Sequence, residues 1–218
     1  MFAYPKQAEF NRVVPKSKIY AHAKPGRAIR NCFVSQIGEI VWKYKLSPET
    51  INLPARHGIA EIQVFEIALK SEEFSPVLLQ TIDKAIPFPI LFQLTHAGNI
   101  CFAVSYKRPS DADSSKWVIE ASFLLPWQSA NKELPTLPVA LDLAALYEQI
   151  VRCHIPLPAR PLETLRDHVA LVLSIEAKQR EARQLEIRLS REKQFNRKVE
   201  LNADLRALRG QLGALQLP

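Results

Sequence analysis

The 218-residue chain contains few of the residues from which phosphate-binding loops and catalytic elbows are built. It has only six glycines and neither a GxxxxGKS/T nor a GxGxxG pattern, so a loop that cradles nucleotide phosphates is not expected. The zinc-helix motif HExxH and the nucleophile-elbow motif GxSxG are also missing from the sequence. These absences exclude the best-marked enzyme classes, and we predict neither a cofactor nor a metal site.

The chain also has little cysteine and no long apolar run. Cys32, Cys101 and Cys153 are odd in number and never in CxxC spacing, which predicts neither a disulfide framework nor a zinc site. No stretch reaches the roughly 18 apolar residues of a membrane span. The first stretch, MFAYPKQAEFNRVVPKSK, mixes charge and proline where a secretory signal has an apolar core. We therefore expect no membrane contact and a reduced, cytoplasmic setting.

Positive charge is concentrated at both ends of the chain. The net charge is +7, made up of +6 over residues 1–31, −3 over residues 32–158 and +4 over residues 159–218. Basic surface attracts polyanions such as nucleic acid through phosphate contacts and counterion release. Contact with DNA is one expectation from this pattern, and a surface that only keeps the protein hydrated is the other.

Hydrophobic periodicity predicts an α+β globular domain over residues 1–155. Apolar residues three and four apart predict a helix over Arg27–Tyr44, and Lys45–Leu53 is interpreted as a short edge strand. Alternation over Glu61–Lys70 predicts a central strand. Further elements are a helix after Ser75-Pro76, strands over 89–95, 100–107 and 116–125, and a short helix over 141–151. This order predicts a mainly antiparallel sheet with helices on one side, and a parallel crossover only around residues 76–86.

Residues 160–217 are predicted to form a long helical tail with coiled-coil character. The tail is expected to be one helix of about fifty residues, or two helices joined by a short break. Its leucine seam steps by four, three and four residues through Leu201, Leu205, Leu208 and Leu212. An amphipathic helix is only marginally stable alone in water. The seam must therefore pack on a second copy of the chain, on another protein, or back on this chain as an antiparallel hairpin.

The tail also contains the densest basic cluster, with a net charge of +5 over residues 178–198. We select as candidate nucleic-acid or partner contacts Arg191, Lys193, Gln194, Arg197 and Lys198, where the heptad register breaks. The competing interpretation is a hydrated helix flank with weak intrahelical ion pairs.

An alternative enzyme hypothesis is a metal-dependent nuclease, in which carboxylates hold a metal that activates water. Its candidate residues are Glu61, Gln63, Glu66 and Lys70, of which Glu61 and Gln63 lie two apart and hence on one face of the strand. An apolar central strand with hydrated acids at its ends explains the same residues equally well.

Four stretches carry a resemblance to a known family: KLSPETINLP (45–54), EIQVFEIALK (61–70), IDKAIPFPIL (82–91) and REKQFNRKVELN (191–202). They look like the bacterial family called domain of unknown function 4391, and the likeness extends over nearly the whole chain. Genes of that family often lie beside a helicase and a DNA methyltransferase of restriction-modification type. The resemblance therefore implies an accessory role in a DNA-processing or phage-defence assembly, and it assigns no catalytic residue.

Together these observations predict a non-catalytic adaptor. Its C-terminal helix would bind a protein partner, which is a helicase, a methyltransferase of the same locus or a second copy, and its basic surfaces would contact DNA. The metal-dependent nuclease is the second hypothesis.

Overall fold

The computed structural model of the chain describes residues 2–113 and 116–216. The chain divides into two compact units, Met1–His154 and Ile155–Pro218. The predicted mixed α+β class is confirmed, because the first unit contains an open, mostly antiparallel sheet of seven strands and the second contains two long helices. Within the described ranges, no helix combines the length and the apolarity needed to cross a bilayer.

The elements of the first unit follow one another in an order close to the predicted one. They are a 3₁₀ turn (Lys6–Ala8), β1 (Glu9–Val13), α1 (Lys16–Ala23), α2 (Arg27–Gln36), β2 (Ile37–Leu46), α3 (Pro48–Ile51), β3 (Ile62–Leu69), α4 (Val77–Ala85), β4 (Ile90–His96), β5 (Asn99–Pro109), β6 (Trp117–Leu124), β7 (Gln128–Ser129) and α5 (Leu143–Arg152). The second unit contains α6 (Leu165–Arg191) and α7 (Phe195–Leu215). The strands lie in the order β1-β2-β3-β4-β5-β6, with β7 also paired to β5.

The single helix predicted over Arg27–Tyr44 is wrong, because its second half is a strand. Helix α2 ends just before Ile37, where β2 begins. An irregularity in the register between β2 and β3 lets Ile37 and Ile40 both reach the core although they are three apart, a spacing that imitates a helical stripe. Gly38 permits the close approach of the two strands, since an added Cβ would lie 3.2 Å from the carbonyl oxygen of Ala68.

The short edge strand predicted over Lys45–Leu53 is also wrong. Strand β2 ends at Leu46, and the next residues form the single helical turn α3. The backbone N–H of Ser47 donates to Thr50 Oγ1 at 2.9 Å. Pro48 occupies the first helical position, where proline is favoured because its missing N–H would have no partner there. This local capping outweighs the weak strand pattern.

The predictions for the centre of the sheet are confirmed. The alternating segment Glu61–Lys70 contains β3, and α4 carries the chain across to β4, which pairs with β3 in parallel. Strands β4 and β5 form the predicted hairpin. Ala97 and Gly98 at its turn have φ angles of 46° and 81°, the left-handed conformations of a tight hairpin turn.

One face of the sheet packs against α1, α2 and α4. The shared core includes Phe33 of α2, Ile82 of α4, and Phe65 and Phe92 of the two central strands. Side chains on the opposite face of these strands, such as Val64, are buried as well. The central strands are therefore covered on both faces, which accounts for their nearly continuous apolar sequence.

A buried ion pair ties α4 to β5. Lys107 Nζ lies 2.8 Å from Asp83 Oδ1, and the two side chains are 1% and 0% exposed. Lys107 also donates to the carbonyl oxygens of Ile86 and Phe88 at 3.1 and 2.9 Å, and Ser105 Oγ donates to Asp83 Oδ2 at 2.5 Å. Burial raises the pKa of Asp83 and lowers the pKa of Lys107, because each charged form loses its hydration. The pair thus holds the connection from α4 to β4 in place.

We predict that replacing Lys107 by methionine lowers the free energy of unfolding by about 3–5 kcal/mol, because the carboxylate of Asp83 is left buried without its counterion. Urea denaturation followed by circular dichroism measures this change. The matched control is Lys132→Met at an exposed position, which is expected to stay within about 0.5 kcal/mol of the wild type. A loss below about 1 kcal/mol for Lys107→Met contradicts the structural role of the ion pair.

Candidate nucleic-acid interface

The five residues predicted to bind nucleic acid or a partner lie together at one end of the second unit. Arg191 is the last residue of α6, Lys193 and Gln194 lie in the connection, and Arg197 and Lys198 lie in the first turn of α7. All five side chains are exposed. The break in the heptad register predicted from the sequence therefore coincides with the turn between the two helices, and the tail is two helices rather than one.

We call residues 188–198 the hairpin tip. They include five basic residues and one acidic residue, a net charge of +4. The basic residue not singled out from the sequence is Arg188, which shares a helix face with Arg191 three positions later. Phe195, 78% exposed, stands among these cations. Exposed cations interleaved with an exposed ring are typical of surfaces that bind a phosphate backbone and stack on its bases.

The acidic residue of the hairpin tip, Glu192, is held by the turn itself. Its Oε1 atom accepts from the backbone N–H groups of Lys193 and Gln194 at 2.8 and 2.9 Å. These hydrogen bonds, reinforced by the nearby charges of Arg197 and Lys198, lower the pKa of Glu192. Glu192 therefore shapes the turn, and its own charge is compensated locally.

The leucine seam is occupied by the chain's own α6. Leu205 and Leu208 are buried in a cluster with Ala182, and half-buried leucines of both helices pack around it. Those leucines are Leu185, Leu189 and Leu212, and Leu201 of the predicted seam is half-buried as well. Of the three arrangements left open by the sequence, the structure has the antiparallel hairpin.

Polar contacts along the hairpin fix its antiparallel register. Lys178 Nζ donates to Gln211 Oε1 at 2.6 Å, and Arg209 donates to Glu186 Oε1 at 2.8 Å. Lys178, at the middle of α6, meets a later residue of α7 than Glu186 does, so the helices run antiparallel, and α6 ends and α7 begins at the hairpin tip.

The four residues of the nuclease hypothesis are not brought to one point. Gln63 Nε2 donates to Glu61 Oε1 at 2.5 Å, as their shared face predicts. Glu66 lies on the opposite face of β3 and pairs with Lys43 at 2.5 Å, and Lys70 lies beyond the far end of the strand, donating to the carbonyl oxygen of Val34 at 2.8 Å. Successive side chains of a strand point to opposite faces, so Glu66 points away from Glu61 and Gln63.

No metal-binding cluster is present in the part of the chain that the structure describes, since three or more His, Cys, Asp or Glu side chains nowhere come together there in a suitable arrangement. Glu61 is paired instead with a cation, because its Oε2 atom lies 3.2 Å from Lys45 Nζ. Glu61 is thus hydrogen-bonded to Gln63 and ion-paired with Lys45.

Sequence reasoning missed a second group of candidate residues, in the basic N-terminal segment. The sequence pattern predicts no helix or strand before Arg27, whereas this segment forms β1 and α1. Arg12 of β1 and Lys18 and His22 of α1 line a cavity whose wall includes Trp42 of β2. The available signal was the net charge of +6 over residues 1–31 together with nearby aromatic residues.

Comparison with known families agrees with the resemblance found in the sequence. The family model described as Domain of unknown function (DUF4391) matches residues 2–212. The chain therefore belongs to the DUF4391 family. Searches of curated proteins and of solved structures gave no significant match.

We predict that Leu205→Asp combined with Leu208→Asp detaches α7 from α6, because a buried carboxylate without a partner is strongly unfavourable. Amide hydrogen exchange over residues 195–215 is expected to accelerate by at least about tenfold. The control, Ala203→Asp with Ala207→Asp, adds the same charge at exposed positions of α7 and should leave exchange unchanged. Equal protection in both variants would show that the seam does not hold the hairpin.

Proposed function

We propose that this member of the DUF4391 family is a non-catalytic accessory protein of a DNA-processing assembly, and that it binds DNA through the hairpin tip. The family resemblance, with its neighbouring helicase and methyltransferase genes, supports the setting. The contact itself is supported by the geometry of the second unit.

The observation that supports the proposal is the density of cations without an acidic partner at the hairpin tip. Further along the hairpin, Arg180 and Arg209 do have acidic partners, at 3.8 Å from Glu176 and 2.8 Å from Glu186. At the tip, Arg191, Lys193 and Lys198 make no ion pair with any residue in the described ranges. Several cations without an acidic partner at one exposed end produce a positive potential that attracts an external anion.

This concentration of cations favours phosphate binding over a merely hydrated helix flank. A flank is stabilised by ion pairs within and between its helices. The hairpin tip has instead one acid, Glu192, whose oxygen is taken by backbone N–H groups and whose nearest cation, Arg197, lies 3.7 Å away. Each remaining cation can neutralise one phosphate and release its counterion, which is the main source of affinity in non-specific DNA binding.

Recruitment of a protein partner through the C-terminal helices belongs to the same proposal. Because the leucine seam already packs on α6, a helicase, a methyltransferase or a second copy would contact other residues of the hairpin. Ile187 and Val199 are 52% and 54% exposed and lie close in sequence to the hairpin tip. They offer an apolar contact beside the DNA-binding cations.

We predict that the triple variant Arg191→Gln, Lys193→Gln, Lys198→Gln weakens binding to a fluorescent DNA duplex by at least about tenfold, because each lost phosphate contact removes counterion release. The slope of log affinity against log salt should fall in magnitude by up to about 2.7, since each contact contributes about 0.9. Fluorescence anisotropy over a series of salt concentrations measures both quantities.

The control for this variant is Arg180→Gln, Arg183→Gln, Arg206→Gln, which removes the same charge from exposed positions along the hairpin. It is expected to keep nearly all of the wild-type affinity and slope. An equal loss in both triple variants would mean that binding follows net charge alone, and wild-type protein that does not bind duplex at low salt would also overturn the proposal.

A further inference from the structure

Three aromatic rings form a continuous row across the first unit. Trp42 of β2 pairs in register with Phe65 of β3, and their rings lie 6.1 Å apart and only 10° from parallel. On the other side of Trp42, the ring of Phe10 from β1 lies 4.2 Å away. Phe65 is buried, whereas Phe10 and Trp42 remain half-exposed. Three neighbouring strands thus present an aromatic surface to the space above it.

That space is a cavity of about 570 Å³, which we call the aromatic groove. Its far wall is the connection from α4 to β4, including Ile86 and Phe88, whose carbonyl oxygens are held by the buried Lys107. Binding sites for small organic groups have volumes of about 300–1,000 Å³, so one nucleotide fits. The wall is fixed from within the core, and the groove is therefore largely preformed.

Charge on the rim of the aromatic groove is positive. Arg12, Lys18 and His22 line it and are exposed, and the guanidinium of Arg12 lies over the Phe10 ring, 4.4 Å from its centroid. Among the described residues that line the groove, Glu61 is the one acid, and Lys45 compensates its charge. An anion above the aromatic row is therefore favoured.

One end of the aromatic groove is polar and buried. Gln63, 4% exposed, donates to Glu61 Oε1 at 2.5 Å, and both line the groove. A carboxylate and a carboxamide side by side offer acceptors to the exocyclic amino group of a base. Stacking surface, amino-group acceptors and phosphate-binding cations are the three elements that an unpaired nucleotide requires.

A second cavity borders the aromatic groove. The neighbouring cavity, of about 530 Å³, shares His22, Ile86 and Pro87 with the aromatic groove. Lys84 and Lys116 line the second cavity and are exposed. Lys116 is paired with Asp113 at 3.0 Å, so Lys84 is the additional cation that this second cavity offers to a phosphate.

From these observations we infer that the aromatic groove binds an unpaired nucleotide of single-stranded DNA. The base stacks on the Phe10–Trp42 row, its amino group meets Glu61 and Gln63, and its phosphate lies against Arg12 and Lys18. This inference rests on the proposed function only in that DNA is the ligand, because the groove and the hairpin tip share no residue.

The test uses the full-length chain and an oligothymidylate that carries one 2-aminopurine, a fluorescent base with an exocyclic amino group. Stacking in the groove is expected to quench its fluorescence in a saturable way. Phe10→Leu should lower the affinity by about tenfold or more and remove most of the quenching, because the half-exposed ring beside Trp42 is lost. The same substitution at the hairpin tip, Phe195→Leu, should leave the quenching at saturation unchanged.

A second variant protects the test against a folding defect of Phe10→Leu. Arg12→Gln with Lys18→Gln changes only exposed side chains and should retain the quenching at saturation. It should weaken binding by about tenfold and lower the magnitude of the salt slope by about 1.4, since each phosphate on a single strand contributes about 0.7.

Quenching that persists in Phe10→Leu, or that disappears in Phe195→Leu instead, would overturn the inference. Free deoxyadenylate that binds as tightly as the oligonucleotide would also overturn it, because the groove would then serve a free nucleotide. These results are distinct from a failure of the hairpin tip, which is measured with duplex DNA and with the variants at residues 191, 193 and 198.

Discussion

The packing of α7 on α6 is the contact on which the candidate DNA interface depends. Leu205 and Leu208 are buried against Ala182, and this burial turns two amphipathic helices into one antiparallel hairpin. Each helix alone would be marginal in water, and a free seam would draw the chain into association with others. Once the seam is closed, the break in register becomes a turn, and the cations around it come to one exposed end. The buried leucines further along the helices therefore bring Arg191, at the end of α6, and Lys198, in the first turn of α7, to the same end of the hairpin.

In the first unit, a buried ion pair positions the wall of the aromatic groove. The buried pair of Lys107 and Asp83 costs hydration on both sides, and it is tolerated because Lys107 also satisfies carbonyl oxygens at the end of α4 and beyond. The wall of the aromatic groove is therefore tied to β5. A wall fixed by the core and a floor of three rings preform the groove, so little ordering would accompany the binding that we infer.

The two proposed sites would bind different forms of DNA. The hairpin tip offers separated cations that would neutralise phosphates and read no sequence. The aromatic groove offers a ring row and the Glu61–Gln63 pair, which suit a base that has left its partner. A protein with both sites would suit a place where duplex and single strand meet.

The sequence by itself determined the α+β class, the alternating β3, the β4–β5 hairpin, the family and the position of the register break, because each depends on local periodicity, turn chemistry or a direct match of residues. It misassigned Arg27–Tyr44, since a β-bulge at Gly38 gives Ile37 and Ile40 the spacing of a helix. The tertiary structure alone decided that the leucine seam folds back on α6, and that Phe10, Trp42 and Phe65 stand in one row while Glu61 and Glu66 face apart. These arrangements depend on contacts between residues that are distant along the chain. A local sequence pattern gives no information about the energies of such contacts.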